Sequence, residues 1–354
     1  MPVRRNQSLE LTAAGLDNKL DVQNLPFYWS GIRFVKGEVM WKRILIAVIG
    51  VFALVDQAAS QLVRGAFPSP SIQILPMMVG AEKGFYKREG LDMELVFVRG
   101  ASTAVQALLA NQIHFIFSVG PQMPAVWEGN DIMLLAQQVG RPTFSLVVTP
   151  DIQKIADLRG KKIGVTFGGS TAAGTKALLE LNKINPDKEV EYISLPGNEP
   201  KIAALKQGII SAALLAPPAD YLAMKAGMKR LVSLADIFKD TAFTGLAATS
   251  RMIKENPQTV KKMVRAMVRS VIHTRDNPED ALQVSMKRLG LERDAAQDAY
   301  QMIRQALVPV PTENGVELMA QWQAIALNTK PKRKPSEYMD LRFVNEVMAE
   351  LGHK

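Results

Sequence analysis

From residue 62 onward, short apolar runs of strand length alternate with helix-length segments, and this alternation constrains the fold more than any other feature. Leu62–Phe67 (LVRGAF), Met93–Val98 (MELVFV) and Ile113–Ser118 (IHFIFS) read as strands, as do DIMLLAQQV at 131–139 and FSLVVT at 144–149. Between them lie a helix through Gly80 to Lys83 and a second over Ala104–Ala110. A further copy begins at Lys161, with strands KIGVTF, VEYISL, SAALLA and RLVSLA separated by helices such as EPKIAALKQG and PPADYLAMKAG. Strands joined by helices of this length form βαβ units, which close into largely parallel sheets covered by helices.

From Asn256 the pattern becomes helical only. Val260, Met263, Val264, Met267, Val268, Val271 and Ile272 recur at three- and four-residue spacing, whereas Lys261, Lys262, Arg265 and Arg269 occupy the other face. This is a core-facing stripe with a solvated basic side.

Three strand-to-helix turns carry small residues and hydroxyls: PSPS at 68–71, GAST at 100–103 and GGST at 168–171. In an open α/β sheet such turns gather at the carboxyl edge, where ligands bind. Free N–H groups at a helix start favour an anionic or polar group, although Ser and Thr also serve as ordinary caps. The third turn is not a nucleotide loop. Gly169 and Gly174 have Walker spacing, but Thr175-Lys176 displaces the lysine by one position, about 100° around the helix. The adjacent Gly168 and Gly169 also break the dinucleotide pattern GxGxxG.

Composition narrows the chemistry. The 354-residue chain has no cysteine, which excludes disulfides, thiolate metal sites, cysteine nucleophiles, iron–sulfur clusters and a lipid-modified N-terminal cysteine. Its three histidines, at 114, 273 and 353, are scattered, so no metal site is expected. The net charge of +9 is spread out; the densest basic run, Lys332–Lys334, sits between Pro331 and Pro335 as a loop. Aromatic residues are not interleaved with basic ones, so nucleic acid is not an expected partner. No nucleophile–base pair or paired carboxylates accompany the turns, and no catalytic residue and no cofactor are assigned.

A leader is expected at an unusual place. Lys42 and Arg43 precede an apolar run, Ile44–Val55, followed by Ala58 and Ser60 as the −3 and −1 positions of an export cleavage site. Residues 40–60 therefore read as a signal peptide starting at Met40, with 1–39 outside the folded protein.

The segments GAEKGFYKREGLDMELV, GASTAVQALLANQIHF, IADLRGKKIGV, GGST and KIAALKQGIISAALLAPP, taken as a series, resemble the solute-binding proteins of ABC importers in the nitrate/sulfonate/taurine class, over about Gln61–Lys354. The resemblance implies a two-lobed periplasmic-binding-protein-like α/β fold (type II), each lobe a mostly parallel sheet flanked by helices, with a helical C-terminal region. Lobe one would span 61–148 plus 247–354 and lobe two 149–246, with crossings near Val147–Pro150 and Phe243–Ala247. It implies a periplasmic, monomeric, non-enzymatic protein that closes around a small-molecule ligand and passes it to ABC permease subunits in the inner membrane. Carried over turn by turn, the ligand-binding candidates are Ser69, Ser71, Ala101, Ser102, Ser118, Gly169, Ser170, Thr171, Pro217 and Thr244, offering N–H and O–H donors to an anionic or polar group. The turns hold no arginine, and Pro76, Met77, Met78 and Val79 follow the first of them, which admits an aromatic or partly apolar ligand. The same fold resembles the fungal thiamine-pyrimidine synthase, whose cysteine-rich motif is missing here. A solute-binding sensor is the other alternative.

Overall fold

The computed structural model describes residues 60–67, 70–167 and 169–353. The proposed leader at 40–60 and the segment 1–39 therefore lie outside the described residues, apart from Ser60.

Ten strands form two five-stranded sheets. The first sheet has the order β2-β1-β3-β10-β4, from β1 (Gln61–Phe67), β2 (Leu91–Phe97), β3 (Phe115–Phe117), β4 (Ile132–Val139) and β10 (Thr244–Thr249). The second has the order β7-β6-β8-β5-β9, from β5 (Ser145–Val148), β6 (Lys162–Val165), β7 (Glu191–Ser194), β8 (Ala212–Leu215) and β9 (Lys229–Ser233). The two orders are the same pattern. In each sheet one strand runs against the other four, and it is the strand the chain makes on arriving from the other sheet: β10 pairs antiparallel with β3 and β4, and β5 with β8 and β9. The remaining neighbours, β1 with β2 and β3, and β6 with β7 and β8, are parallel. Four of the five strands in each sheet run the same way, as the alternation predicts, but two of the four pairings in each are antiparallel, so the sheets are mixed. Together they make the two-lobed α/β architecture that the resemblance implies.

The first crossing comes earlier than the sequence suggests. β5 already bonds to β8 and β9, so the chain leaves the first sheet at Val139 and enters the second at Ser145. Local pattern finds the strand, but only its long-range partners decide its sheet. The chain returns between Ser233 and Thr244.

Both crossings join carboxyl edge to carboxyl edge. β4 ends, and the reversed β5 begins, at that edge of its own sheet; β9 ends and the reversed β10 begins there too. Six peptide steps from Val139 to Ser145 reach at most about 20 Å. The carboxyl edges of the two sheets are therefore joined directly, by a short connection in the first crossing.

The crossings are bound to one another. Leu234 N–H donates to Phe144 C=O (2.8 Å), Thr241 N–H to Gly140 C=O (2.9 Å) and Phe243 N–H to Val139 C=O (3.1 Å). The Phe144 and Phe243 rings meet edge to face at 5.3 Å. The C-terminal chain braces them, with Gly140 N–H bonded to Ala306 C=O and Ala242 N–H to Gly315 C=O.

The helical region does what its periodicity requires. Val260, Met263, Val264, Met267, Val268 and Val271 of the helix Pro257–Asp276 are fully buried under the first sheet, with Leu75, Met77 and Val79 of the helix Leu75–Glu82. The later helices reach both lobes. Trp322, on the helix Glu313–Ala326, packs on Phe238 and against Gly174, and Asp298, on the helix Arg293–Arg304, pairs with Arg230 of β9 at 2.8 Å.

Candidate functional site

At the carboxyl edge of the first sheet, the chain leaves β1 into a 3-10 turn, Ile72–Ile74, preceded by Ser71. Ser71 is buried and its hydroxyl donates to Gln73 Oε1 at 3.5 Å. Thr244, the first residue of β10, is also buried, and its hydroxyl donates to the Gln73 carbonyl at 3.5 Å. Ser118, buried, follows β3, the strand beside β10. Ala101 and Ser102 open the helix Ala101–Leu109, with Ser102 exposed. Three of the expected residues, Ser71, Ser118 and Thr244, thus meet at neighbouring strand ends, two of them through Gln73. Ser69 lies outside the described residues.

At the carboxyl edge of the second sheet, Gly169 caps the helix Ser170–Leu181 without any side-chain cap bond. Thr171, in the first turn, accepts the Thr166 N–H at 3.3 Å. Pro217, buried, follows β8 and is joined to Pro218 by a cis bond. Gly169–Thr171 and Pro217 therefore sit at the ends of two paired strands, β6 and β8.

The structure adds polar groups that the turns alone do not disclose. Gln73, Gln122, Gln138 and Gln323 are all buried, and one or both ends of each carboxamide find no hydrogen-bond partner among the described residues. Thr143, in the first crossing, is buried with its hydroxyl likewise unpartnered. A buried polar atom without a partner costs about 1–3 kcal/mol, so several in one region need an explanation. Gln138 shows how it is set in place. Thr244 pairs with Val139 but Gly245 pairs with Gln137, so Gln138 is the extra residue of a β-bulge in β4. Bulges of this kind re-aim a side chain beside a site. Gly245 permits it, because a Cβ there would stand 2.4 Å from the Ala136 carbonyl oxygen. Gln323 belongs to the same region: its amide nitrogen would lie 2.7 Å from a Cβ placed on Gly120, two residues before Gln122.

Two phenylalanines flank the edges. Phe97 ends β2 and Phe167 follows β6, and they remain 45% and 59% exposed. Phe167 meets Tyr192 edge to face at 6.5 Å, and Phe97 carries Arg99 over its ring at 5.9 Å.

The electrostatics of the second edge turn on Lys201, in the first turn of the helix Glu199–Lys206. Its side chain is 1% exposed, passes over Gly164 of β6, and brings Nζ to within 3.4 Å of Thr171 Oγ1. Burial pushes its pKa down from 10.5 to about 8. The sequence holds a trace of this, since Lys201 shares a helix face with Ala204 and Leu205 at i+3 and i+4, both buried. Similarly, the paired glutamines in LLAQQV interrupt an otherwise apolar strand.

A separate cavity of about 500 Å³ is lined by Arg141, Arg230, Ser233, Asp236, Gln301 and Gln305, among others, and includes none of the hydroxyl turns. Its principal cation is already matched: Arg230 bonds to the buried Asp220 and to Asp298. Among the described residues there is no cluster of three acidic or histidine side chains able to hold a metal.

Comparisons with known proteins bear on the family and the fold. A family model described as NMT1/THI5 like matches residues 71–281, over half of the chain. A protein of Brucella abortus named only as a binding protein is 27% identical over 223 residues, covering 61% of this chain and 67% of that one. The riboflavin-binding protein RibY of Chloroflexus aurantiacus is 27% identical over 236 residues, 62% of this chain and 63% of its own. Among solved structures, the periplasmic aliphatic sulphonate-binding protein SsuA of Escherichia coli superposes with a TM-score of 0.66 at 17% identity, covering 78% of this chain and 91% of that one. The desulfurization enzyme DszB has the same fold, with a TM-score of 0.62 at 17% identity over 82% of this chain and 99% of its own. The architecture therefore serves binding and catalysis alike, and function has to come from the site.

Proposed function

This chain belongs to the NMT1/THI5-like family, and on that footing we propose that it captures a small organic ligand between its lobes and hands it to an ABC permease. The observation that supports the reading is the double crossing, which joins the carboxyl edges of the two sheets, where the hydroxyl turns lie, through two connections. A hinge there lets the lobes close on a guest, and closure is the signal a permease reads.

The chemistry of the lining favours holding over reacting. Hydroxyls at Ser71, Ser118, Ser170, Thr171 and Thr244 and the buried carboxamides of Gln73, Gln122, Gln138 and Gln323 offer donors and acceptors, and among the described residues no carboxylate or histidine is hydrogen-bonded to these hydroxyls. Carboxamides present both a donor and an acceptor, which matches a planar ring bearing the same alternation. Phe97 and Phe167 supply exposed faces for such a ring to stack on. The two lobes are proposed to divide near the crossings, with the C-terminal helices bracing both. The protein is proposed to meet its ligand in the periplasm, after its own export through a leader at 40–60.

A thermal-shift screen across pyrimidines and other heterocycles, sulfonates, carboxylates and nitrate tests the reading. A bound ligand raises the melting temperature by mass action, and incubation should consume none of it. Turnover of the stabilising compound, or no stabilisation by any class, would contradict it.

A further inference from the structure

Lys201 is a cation in the wrong place for an unliganded protein. Its ammonium has three donors, of which one reaches Thr171 Oγ1 at 3.4 Å, and no carboxylate pairs with it among the described residues. Thr171 is the second residue of a twelve-residue helix whose N-terminal end carries positive partial charge. The backbone N–H groups of Ser170 and Thr171 find no acceptor among the described residues, and the Gly169 cap supplies none from a side chain. A buried ammonium and a helix N-terminus therefore point at the same spot, each disfavouring the other. Burying an unpaired charge costs several kcal/mol. Both penalties are reversed by one event: arrival of a negative group within reach of Nζ and the two amides.

We propose that Lys201, together with the first-turn amides at Ser170 and Thr171, is the receptor for an oxyanion group on the ligand, a carboxylate, sulfonate or phosphate. The ligand is then bipartite. Its polar ring or body lies against the carboxamides and hydroxyls of the first lobe, and its anionic end lies on the second. This assignment rests on the cleft being the ligand site. It also supplies the positive charge that the arginine-free turns lack, from a helix that follows the next strand rather than from the turn itself.

The test uses the whole chain and its Lys201→Met and Lys201→Arg variants. Sodium methanesulfonate, acetate and inorganic phosphate are titrated against chloride at matched ionic strength, with uncharged uracil as a parallel arm, and affinity is read by thermal shift and calorimetry. The expected result is saturable binding of at least one oxyanion to the wild type. Affinity should fall about 10- to 100-fold in Lys201→Met, the scale of a lost charge-assisted bond. It should stay within about tenfold in Lys201→Arg, which keeps the charge. Should Lys201→Met not fold, NMR of the wild type made with ¹³Cε,¹⁵Nζ-labelled lysine decides, because the Lys201 resonance must move as the oxyanion saturates. Equal oxyanion affinity in Lys201→Met, or a Lys201 resonance unmoved at saturation, would overturn the assignment. Uracil binding with no oxyanion binding would also overturn it while leaving the cleft reading intact. Failure of every probe would count against both.

Discussion

Replacing Lys201 by methionine should make the ligand-free protein more stable. Methionine keeps most of the aliphatic stem and removes the buried charge, so packing over Gly164 is preserved. The magnitude follows from the pKa: a drop from 10.5 to about 8 corresponds to about 3 kcal/mol of penalty on the charged form. Allowing for imperfect repacking, the variant should gain about 2–3 kcal/mol at pH 7, measured by urea unfolding of exhaustively dialysed protein. The sign with pH is fixed. Below about pH 8 the lysine is charged in both folded and unfolded chains, and the penalty is fully present. Between about 8 and 10.5 the folded chain has released the proton while the unfolded chain still binds it, so wild-type stability rises with pH. The advantage of the variant should therefore shrink steadily over that interval and vanish above it. Other ionisable groups titrate alike in the two proteins and cancel in the difference. A variant less stable than wild type at pH 7, or an advantage that ignores pH, would refute the picture of an unpaired buried ammonium.

Three further outcomes are expected. Gln138→Leu should stabilise the ligand-free protein by about 1–3 kcal/mol, because an unpartnered buried carboxamide is removed, and should weaken whichever ligand the thermal screen identifies; calorimetry checks both. Gly245→Ala should destabilise by at least about 2 kcal/mol in urea unfolding, since its Cβ would meet the Ala136 carbonyl oxygen at 2.4 Å and force the bulge open. Arg230→Met should cost about 3–5 kcal/mol by leaving Asp220, wholly buried and bonded to Arg230 at 2.7 Å, without its partner. Adding Asp220→Asn should recover part of that loss. In the single variant stability should fall as pH rises, because burial already holds the Asp220 carboxyl above its usual range and losing the arginine raises it further.

Much of the architecture was legible because periodicity and turn chemistry are local. The runs at 62–67, 93–98 and 162–167 overlap β1, β2 and β6, and the stripe from Val260 to Val271 is the buried face of the helix Pro257–Asp276. Strand direction was not legible. Nothing in FSLVVT says that β5 runs against its neighbours, or that it belongs to the second sheet, because both follow from pairing with residues more than sixty positions away. The site divides in the same way. Small and hydroxyl residues mark the turns by composition, whereas Lys201 and Gln138 act through burial. One is set by packing over Gly164 and the other by a bulge that only Gly245 accommodates. Their signatures, a lysine on an apolar helix face and a glutamine pair inside an apolar strand, become meaningful once the third dimension shows, among the described residues, no carboxylate beside Lys201 and no hydrogen-bond partner for Gln138.

That one guest is gripped jointly by the two facing sheet edges is best tested by measuring the gap. The chain has no cysteine, so spin labels can be placed cleanly at Gln106→Cys and Glu180→Cys, exposed positions on the helices that rise from the two opposing turns. Electron–electron distance measurements with and without a saturating ligand should show the separation narrowing to a single shorter population. Tight, stoichiometric binding with an unchanged distance distribution would contradict the account.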